Sequence, residues 1–150
     1  MIDGLIITTA VCRKLHSAFP DISIYREHIC EGFDEPSFFV WSSAVRPSNL
    51  LWPRMFQRHE IEVRYFPIRG DLAMYEHLNS IGMSMLEILS SIEVEIDETT
   101  MPVFLSSANY AIINDNTLNF SAEYQIECLI NNREAASLMG RIDEINTHLK

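Results

Sequence analysis

Two short pairs of residues are the first candidates for chemistry, because each pair joins a histidine to a carboxylate. They are Glu27-His28 and His59-Glu60. A zinc protease motif needs two histidines one helical turn apart with a glutamate between them, and neither pair has the second histidine. In an extended strand, His59 and Glu60 would also point to opposite faces of the sheet. Neither pair therefore predicts a catalytic or metal site.

Three other motifs have simpler structural explanations. Ser84 lacks the second glycine of a nucleophile elbow and falls within a predicted helix. Arg69-Gly70-Asp71 spells an integrin-binding tripeptide, but this order also suits a turn before a helix. Asn119-Phe120-Ser121 fits a glycosylation site, yet it lies inside a predicted strand. Since no carboxylate spacing suits a glycosidase and no glycine-rich loop suits a phosphate, the sequence predicts no enzyme, no cofactor and no metal.

The charged residues divide the chain into two parts. Residues 1–70 carry eight basic and eight acidic side chains, whereas residues 71–132 carry ten acids and neither lysine nor arginine. A folded stretch with one sign of charge repels itself. It therefore indicates a solvated acidic face, a partner of opposite charge, or a surface that must not adhere to nucleic acid.

The arginines between Arg46 and Arg69, with Trp52 among them, allow two interpretations. They could form a nucleic-acid patch, which needs clustered basic side chains. However, nearby acids almost balance them, and the net charge of the whole chain is -10. A protein interface is the favoured interpretation, because general phosphate binding depends on a surplus of lysine and arginine.

Composition indicates one folded domain. The chain has 150 residues, of which 47% are hydrophobic and 10% aromatic, and this excludes disorder. Three cysteines without short spacing suit buried thiols in a reducing compartment. No apolar run approaches the roughly 18 residues needed to span a bilayer, and no basic segment precedes an apolar one at the N-terminus. We expect a soluble, intracellularly made protein with one α+β domain at 1–132 and a helical extension at 133–150.

Apolar periodicity and turn residues place the elements. In the first part we predict a helix at 2–19, a strand at 22–25, a loop at 32–36, a buried strand at 38–41, a loop at 47–53 and a strand at 56–65. In the second part we predict a helix at 72–89 capped by Asp71, strands at 93–97 and 101–105, a hairpin of 108–112 with 118–130, and a tail helix at 134–150. The last strand would exceed about 40 Å, so its end should overhang the domain.

One core should join these elements. Its predicted members are Phe38, Val40, Ile61, Val63, Tyr65, Leu78, Leu86, Tyr110, Phe120 and Tyr124.

Three segments carry a resemblance to a known family. They are Phe19-Pro20-Asp21-Ile22-Ser23-Ile24-Tyr25, Glu31-Gly32-Phe33-Asp34-Glu35-Pro36-Ser37-Phe38-Phe39-Val40 and Tyr65-Phe66-Pro67. Their order resembles that of tail terminator-like proteins from phages of Gram-positive bacteria, in which a helix leads to an Ile-x-Tyr strand, a Gly-x-x-x-Pro-x-Phe-Phe turn and strand, and a Tyr-Phe-Pro strand end. The resemblance covers residues 2–92, more weakly 108–130, and does not place the tail.

This resemblance implies a structural role. Tail terminators have a mostly antiparallel sheet flanked by helices, and they assemble as hexameric rings. Such a ring caps the head-proximal end of the tail tube, stops its polymerisation and offers a docking surface to the head or collar. Implied partners are other copies of the chain, the tail tube protein, a sheath protein if the tail contracts, and a head–tail connector. DNA would only pass through, and no membrane is involved.

The implied location is a virion tail or a phage tail-like particle, with synthesis in the bacterial cytoplasm. Two alternatives stay open at this point. One is a head–tail connector or tail-completion protein, which would share ring assembly, and the other is a small regulatory binding protein.

Two sets of residues are predicted to serve assembly. The subunit or tube interface would use Arg46, Leu50, Leu51, Trp52, Arg54, Arg58, Arg64, Leu138, Met139, Ile142 and Ile145. An acidic bore that repels DNA phosphates would use some of the acids Glu76, Glu87, Glu93, Glu95, Asp97, Glu98, Glu123 and Glu127, with the arginines lying away from it.

Overall fold

In the computed structural model, the described residues form an α+β fold of two helices and six strands. The structure describes residues 2–26, 32–51, 54–68, 70, 74–114 and 116–129. The predicted tail helix and the predicted cap Asp71 lie outside this part. In chain order the elements are α1 (Gly4–Ala18), β1 (Ser23–Tyr25), β2 (Ser37–Leu51), β3 (Arg54–Phe66), α2 (Met74–Ile88), β4 (Ser91–Ile96), β5 (Thr99–Ile113) and β6 (Thr117–Leu129).

The six strands form one curled sheet in the order β1-β2-β3-β6-β5-β4. β1 runs parallel to β2, and the other four pairs are antiparallel. The expected mostly antiparallel sheet is thus confirmed, with one parallel pair that makes it mixed. Both helices pack on one face of the sheet, which we call the inner face, and the opposite face is the outer face.

Local signals set the ends of α1. The Asp3 carboxylate accepts a hydrogen bond from the Leu5 amide at 3.1 Å and caps the first turn. At the other end the Phe19 amide still donates to the Leu15 carbonyl at 2.8 Å. Pro20 then cannot continue the helix, because it has no amide hydrogen and its ring clashes with the preceding turn.

A two-residue turn joins β4 to β5. Asp97 and Glu98 have φ values of 48° and 65°, and Ile96 pairs directly with Thr99. Positive φ at both central residues is the requirement of a type I′ hairpin, whose twist matches that of the strands. The two short strands predicted near residues 93–105 are therefore the two arms of a hairpin.

Two predictions of strand boundaries are wrong. Residues 47–51 are not a loop, because β2 continues to Leu51 and pairs with β3 through Pro47↔Gln57 and Leu50↔Met55. A register shift between these two pairs accommodates the proline, which lacks the amide hydrogen that a regular ladder uses. The strands predicted at 101–105 and 108–112 are one strand, β5, with a shift between Leu105 and Ser107.

The predicted core is confirmed. Eight of its ten residues are buried, and Leu86 and Tyr110 pack against them half-buried. β3 shows the clearest pattern, since its odd-numbered residues from Met55 to Tyr65 are buried and its even-numbered ones are not. α1 lies across the inner side of β2, β3 and β4, and α2 covers β5 and β6.

Three strands extend beyond the rest of the sheet. β5 pairs with β6 only as far as Tyr124, and β1 pairs with β2 only at residues 37–39. Past the level of Tyr124, residues 46–51, 54–58 and 125–129 continue as a three-stranded ribbon. We call this part the ribbon, and it agrees with the predicted overhang of the last strand.

Within the described part of the chain, neither helix has the length and the apolar character that a membrane span needs.

Candidate assembly interface

The outer face of β2, β3 and β6 is a polar surface built by strand alternation. Side chains that follow the buried ones by one position point to this face. On β3 the outward residues are Arg54, Phe56, Arg58, Glu60, Glu62 and Arg64, and on β6 they are Asn119, Ser121, Glu123, Gln125 and Glu127. Arg46 of β2 lies on the same face. This face therefore contains four of the eleven predicted interface residues and two of the eight predicted bore residues.

Arginines and glutamates on this face pair across neighbouring strands. Arg54 Nε lies 3.2 Å from Glu127, and Arg58 Nε lies 3.6 Å from Glu123. Arg46 lies 3.6 Å from Glu60, which is on β3. All three arginine side chains remain more than half exposed, so water screens these pairs and each contributes little to stability. Their charges remain available to a partner.

Glu123 and Glu127 are therefore two predicted bore acids that the sheet does not separate from the predicted interface arginines. β6 comes from the acidic part of the chain and β3 from the balanced part, but the sheet places them side by side. Each of the two carboxylates lies against an arginine of β3. The charge division seen along the sequence is thus partly cancelled in space.

Near the middle of the outer face the side chains are held more firmly. The Ser121 hydroxyl donates to the Glu62 carboxylate, with oxygen–oxygen distances of 2.8 and 2.9 Å, and the Asn119 amide nitrogen lies 3.4 Å from it. The Arg64 guanidinium stacks over the Trp41 ring at 5.4 Å from its centroid. Arg64 Nε and Asn119 Oδ1 are buried without a hydrogen-bond partner among the described residues. The Arg64 donor and the Asn119 acceptor, on adjacent strands, thus both lack a hydrogen-bond partner among the described residues.

An aromatic cluster closes the end of the outer face that lies opposite the ribbon. Phe39 of β2 lies 5.2 Å from the rings of Tyr25 and Phe66 and 5.1 Å from that of Phe33, measured between centroids. The Tyr25 hydroxyl accepts a hydrogen bond from the Asp34 amide at 3.1 Å and so holds the loop over the sheet. The segments that carried the family resemblance thus meet in one cluster.

The other six predicted bore acids lie on α2, on β4 and in the β4–β5 turn. Glu76 and Glu87 are exposed on α2, and Asp97 and Glu98 are exposed in the turn. Glu93 and Glu95 point from β4 into a cavity of about 570 Å³ that Arg13 and Lys14 of α1 also line. Arg13 lies 3.5 Å from Glu95. Basic residues therefore offset the acids of β4, while the acids of α2 and of the turn have no arginine or lysine within ion-pair distance in the described part.

The histidine and serine candidates have structural positions. His59 is fully buried, its Nε2 lies 3.4 Å from Gln57 Oε1, and burial lowers its pKa. Glu60 points to the outer face, as predicted. Ser84 lies half-buried in the middle of α2, and Glu27-His28 lies outside the described residues. Within the described ranges no group of histidine, cysteine and acidic side chains is arranged to hold a metal ion.

Several predicted interface residues cannot be placed. Leu50 and Leu51 belong to β2, but their side chains lie outside the part that the structure describes. Trp52 and the four tail residues Leu138, Met139, Ile142 and Ile145 also lie outside it. Their role in assembly stays a prediction.

Sequence reasoning missed Trp41, Glu60, Glu62 and Ser121 as members of this surface. The alternation of β3 was visible in the sequence and marked its even-numbered residues as outward. Which strand lies beside them depends on the long-range pairing of β3 with β6, for which the sequence alone carries no signal.

Comparison with known proteins gave one family. A family model described as phage tail terminator protein matches residues 6–136, which is most of the chain. A search of curated proteins found no match.

Proposed function

Because the chain belongs to the phage tail terminator family, we propose that it assembles as a ring, expected to be a homo-hexamer, on the head-proximal end of the tail tube. There it stops tube polymerisation and offers the surface on which the head or collar docks. A structural role in the phage tail, and contact with other tail or virion proteins, follow from the family itself. The match over residues 6–136 is the observation that carries the proposal.

The outer face supports this proposal as a surface for protein contacts. It carries four arginines and four glutamates, so it has no net charge that would favour nucleic acid. Exposed arginines are frequent at protein interfaces because the planar guanidinium pairs with carboxylates in two-pronged geometry. We therefore place the subunit or tube contacts on this face.

The acids of α2 and of the β4–β5 turn suit the DNA path. Glu76, Glu87, Asp97 and Glu98 are exposed. A bore lined by such carboxylates would repel phosphates and let DNA pass without adhering. Glu93 and Glu95 would contribute less to such a bore, because the basic side chains of Arg13 and Lys14 lie beside them.

Polymerisation of the tail tube protein tests the proposal. Tubes are grown with and without the purified chain, and their lengths and ends are measured by electron microscopy. We expect shorter tubes that carry a ring at one end, and no further growth when fresh tube protein is added. Unchanged length together with binding to an isolated head connector would favour the connector role. A monomer or dimer that binds neither would favour a regulatory protein.

A further inference from the structure

The ribbon has two strand edges that no described strand covers. On one side, β2 loses its partner after Phe39, where the pairing with β1 ends. On the other side, β6 loses its partner after Tyr124, where the pairing with β5 ends. An uncovered edge presents unpaired amide and carbonyl groups, so folded proteins cover or protect it. A second copy of the chain offers both kinds of edge at once.

The β2 edge is protected against indiscriminate strand addition. It contains Pro47 and two register shifts, one between Ser42 and Ala44 and one between Pro47 and Leu50. Each of these features interrupts a continuous backbone ladder. Specific contact at this edge must therefore depend on side chains.

The two edges carry opposite charge. Arg46 stands on β2 with its side chain 73% exposed, and Arg54 and Arg58 lie behind it on β3. Glu127 stands on β6 at the other edge, whereas Glu123 lies just outside the ribbon, where Ser107 of β5 pairs with it in register. All five side chains lie on the outer face, so the ribbon has a positive and a negative side.

The strand registers show where these charges lie along the strands of the ribbon. Arg46 pairs in register with Arg58, and Arg58 pairs in register with Gln125. Arg46 therefore stands level with the residue midway between Glu123 and Glu127. If two ribbons lie side by side without a shift along the strands, Arg46 of one lies level with Gln125 of the other, two residues from Glu127 on the same face.

We propose that the β2 edge of one copy and the β6 edge of the next copy form a head-to-tail contact, in which Arg46 meets the carboxylate of Glu127. The inference rests on the proposed ring, whose subunit contact it specifies. A contact between two different surfaces of the same chain repeats from copy to copy and forms a ring when its rotation closes, whereas a contact between two identical surfaces would stop at a dimer.

Charge reversal at the two edges tests the contact. R46E and E127R are made separately, together in one chain, and as a 1:1 mixture of the two single variants. Oligomer mass is measured by light scattering after size exclusion, and rings are counted by electron microscopy. We expect each single variant to lose rings, the double variant to regain them, and the mixture to regain them if the ring has an even number of copies.

R13E and E95R are matched controls. Arg13 and Glu95 form an exposed ion pair on α1 and β4, away from the ribbon. We expect both control variants to form rings like the wild type, and urea unfolding should show that all variants keep the fold.

The outcomes separate the contact from the ring itself. Wild-type rings that persist in both single variants would overturn the contact and leave the proposed function standing. So would loss in the single variants with no recovery in the double variant. A wild type that forms no ring, alone or on tube ends, would overturn the ring and this contact together.

Discussion

At the scale of single residues, His59 links stability to pH. The side chain is fully buried, and burial lowers its pKa against a smaller opposing effect of Asp3. The folded protein therefore takes up a proton on His59 only at a lower pH than the unfolded chain, which does so below about pH 6.5. The free energy of unfolding should fall as the pH falls through this value, and above it His59 should contribute no pH dependence.

Urea unfolding between about pH 7.5 and pH 5.5 measures this effect, since the range brackets the ordinary histidine pKa. His59→Gln should flatten the pH dependence, whereas His16→Gln, at an exposed position of α1, should leave it as in the wild type. An equal slope in wild type and His59→Gln would show that His59 binds protons equally in the folded and the unfolded states.

Tyr124 holds the end of α2 to the central sheet. Its hydroxyl donates to the Leu89 carbonyl at 2.7 Å, and burial raises its pKa so that it stays a donor. The last carbonyls of a helix have no partner within the helix, so Tyr124→Phe leaves a buried acceptor unpaired. We expect a loss of about 1–3 kcal/mol in the free energy of unfolding.

Tyr110→Phe is the matched control for this change. The Tyr110 side chain is half-buried, but the hydrogen bond that its hydroxyl donates to Asn79 at 2.6 Å is exposed, so water replaces the lost partner. Its cost should stay within about 0.5 kcal/mol. Equal costs for the two variants would mean that the Leu89 carbonyl finds another donor.

At the scale of elements, the distance between α2 and β5 depends on one glycine. A Cβ atom added at Gly82 would lie 2.8 Å from two carbons of the Tyr110 ring, which is closer than such atoms approach. Alanine favours a helix over glycine by about 1 kcal/mol. The clash should nevertheless win, and Gly82→Ala should lower the free energy of unfolding by about 1–3 kcal/mol.

Ser80→Ala is the control within the same helix. Ser80 is exposed on α2, so its replacement tests helix propensity without a change in packing. A gain of a few tenths of a kcal/mol is expected there. If Gly82→Ala were also stabilising in urea unfolding, the helix would have room to move away from β5.

The predicted tail helix at 134–150 is a further element with its own test. An isolated helix of this length is marginal in water, so its apolar residues need a partner surface. Deleting 134–150 should leave the thermal midpoint of the domain nearly unchanged but reduce oligomer mass. Unchanged mass and unchanged incorporation into particles would exclude a role in assembly.

The sequence predicts the helices and strands better than it predicts which strands lie side by side. The alternation of apolar and polar residues identifies β3 and β6, and apolar residues three and four positions apart identify α1. Burial of one face produces this periodicity in the sequence. The prediction of a loop at 47–51 is wrong because Pro47, Ser48 and Asn49 are typical of turns, and the register shift that accommodates them in β2 leaves no mark in the sequence. The pairing of Arg58 with Glu123 joins residues far apart in the chain, so no local pattern could predict it.

At the scale of the whole molecule, the exposed acids outside the ribbon should keep DNA from adhering. Reversing Glu76, Glu87, Asp97 and Glu98 to lysine should leave ring formation intact but make the ring bind duplex DNA. Fluorescence anisotropy should show that this binding weakens steeply as salt rises, because it depends on released counterions. Reversing acids elsewhere, at Asp21, Asp34 and Glu35, is the control, and Asp3 is left unchanged because it caps α1.

DNA binding by both sets of variants would mean that only net charge matters. No binding by either set would place the acids of α2 and of the turn away from the DNA path.

The continuity of β3 and β6 has a mechanical meaning. Both strands run without interruption from the buried core into the ribbon, and they are joined by twelve register pairs from Arg54 to Tyr65. A force applied to the ribbon along the strands would act on all these pairs at once in shear, rather than separate them one at a time. The ribbon is therefore mechanically coupled to the core, and tension between neighbouring parts of a tail would be transmitted directly to the centre of the subunit.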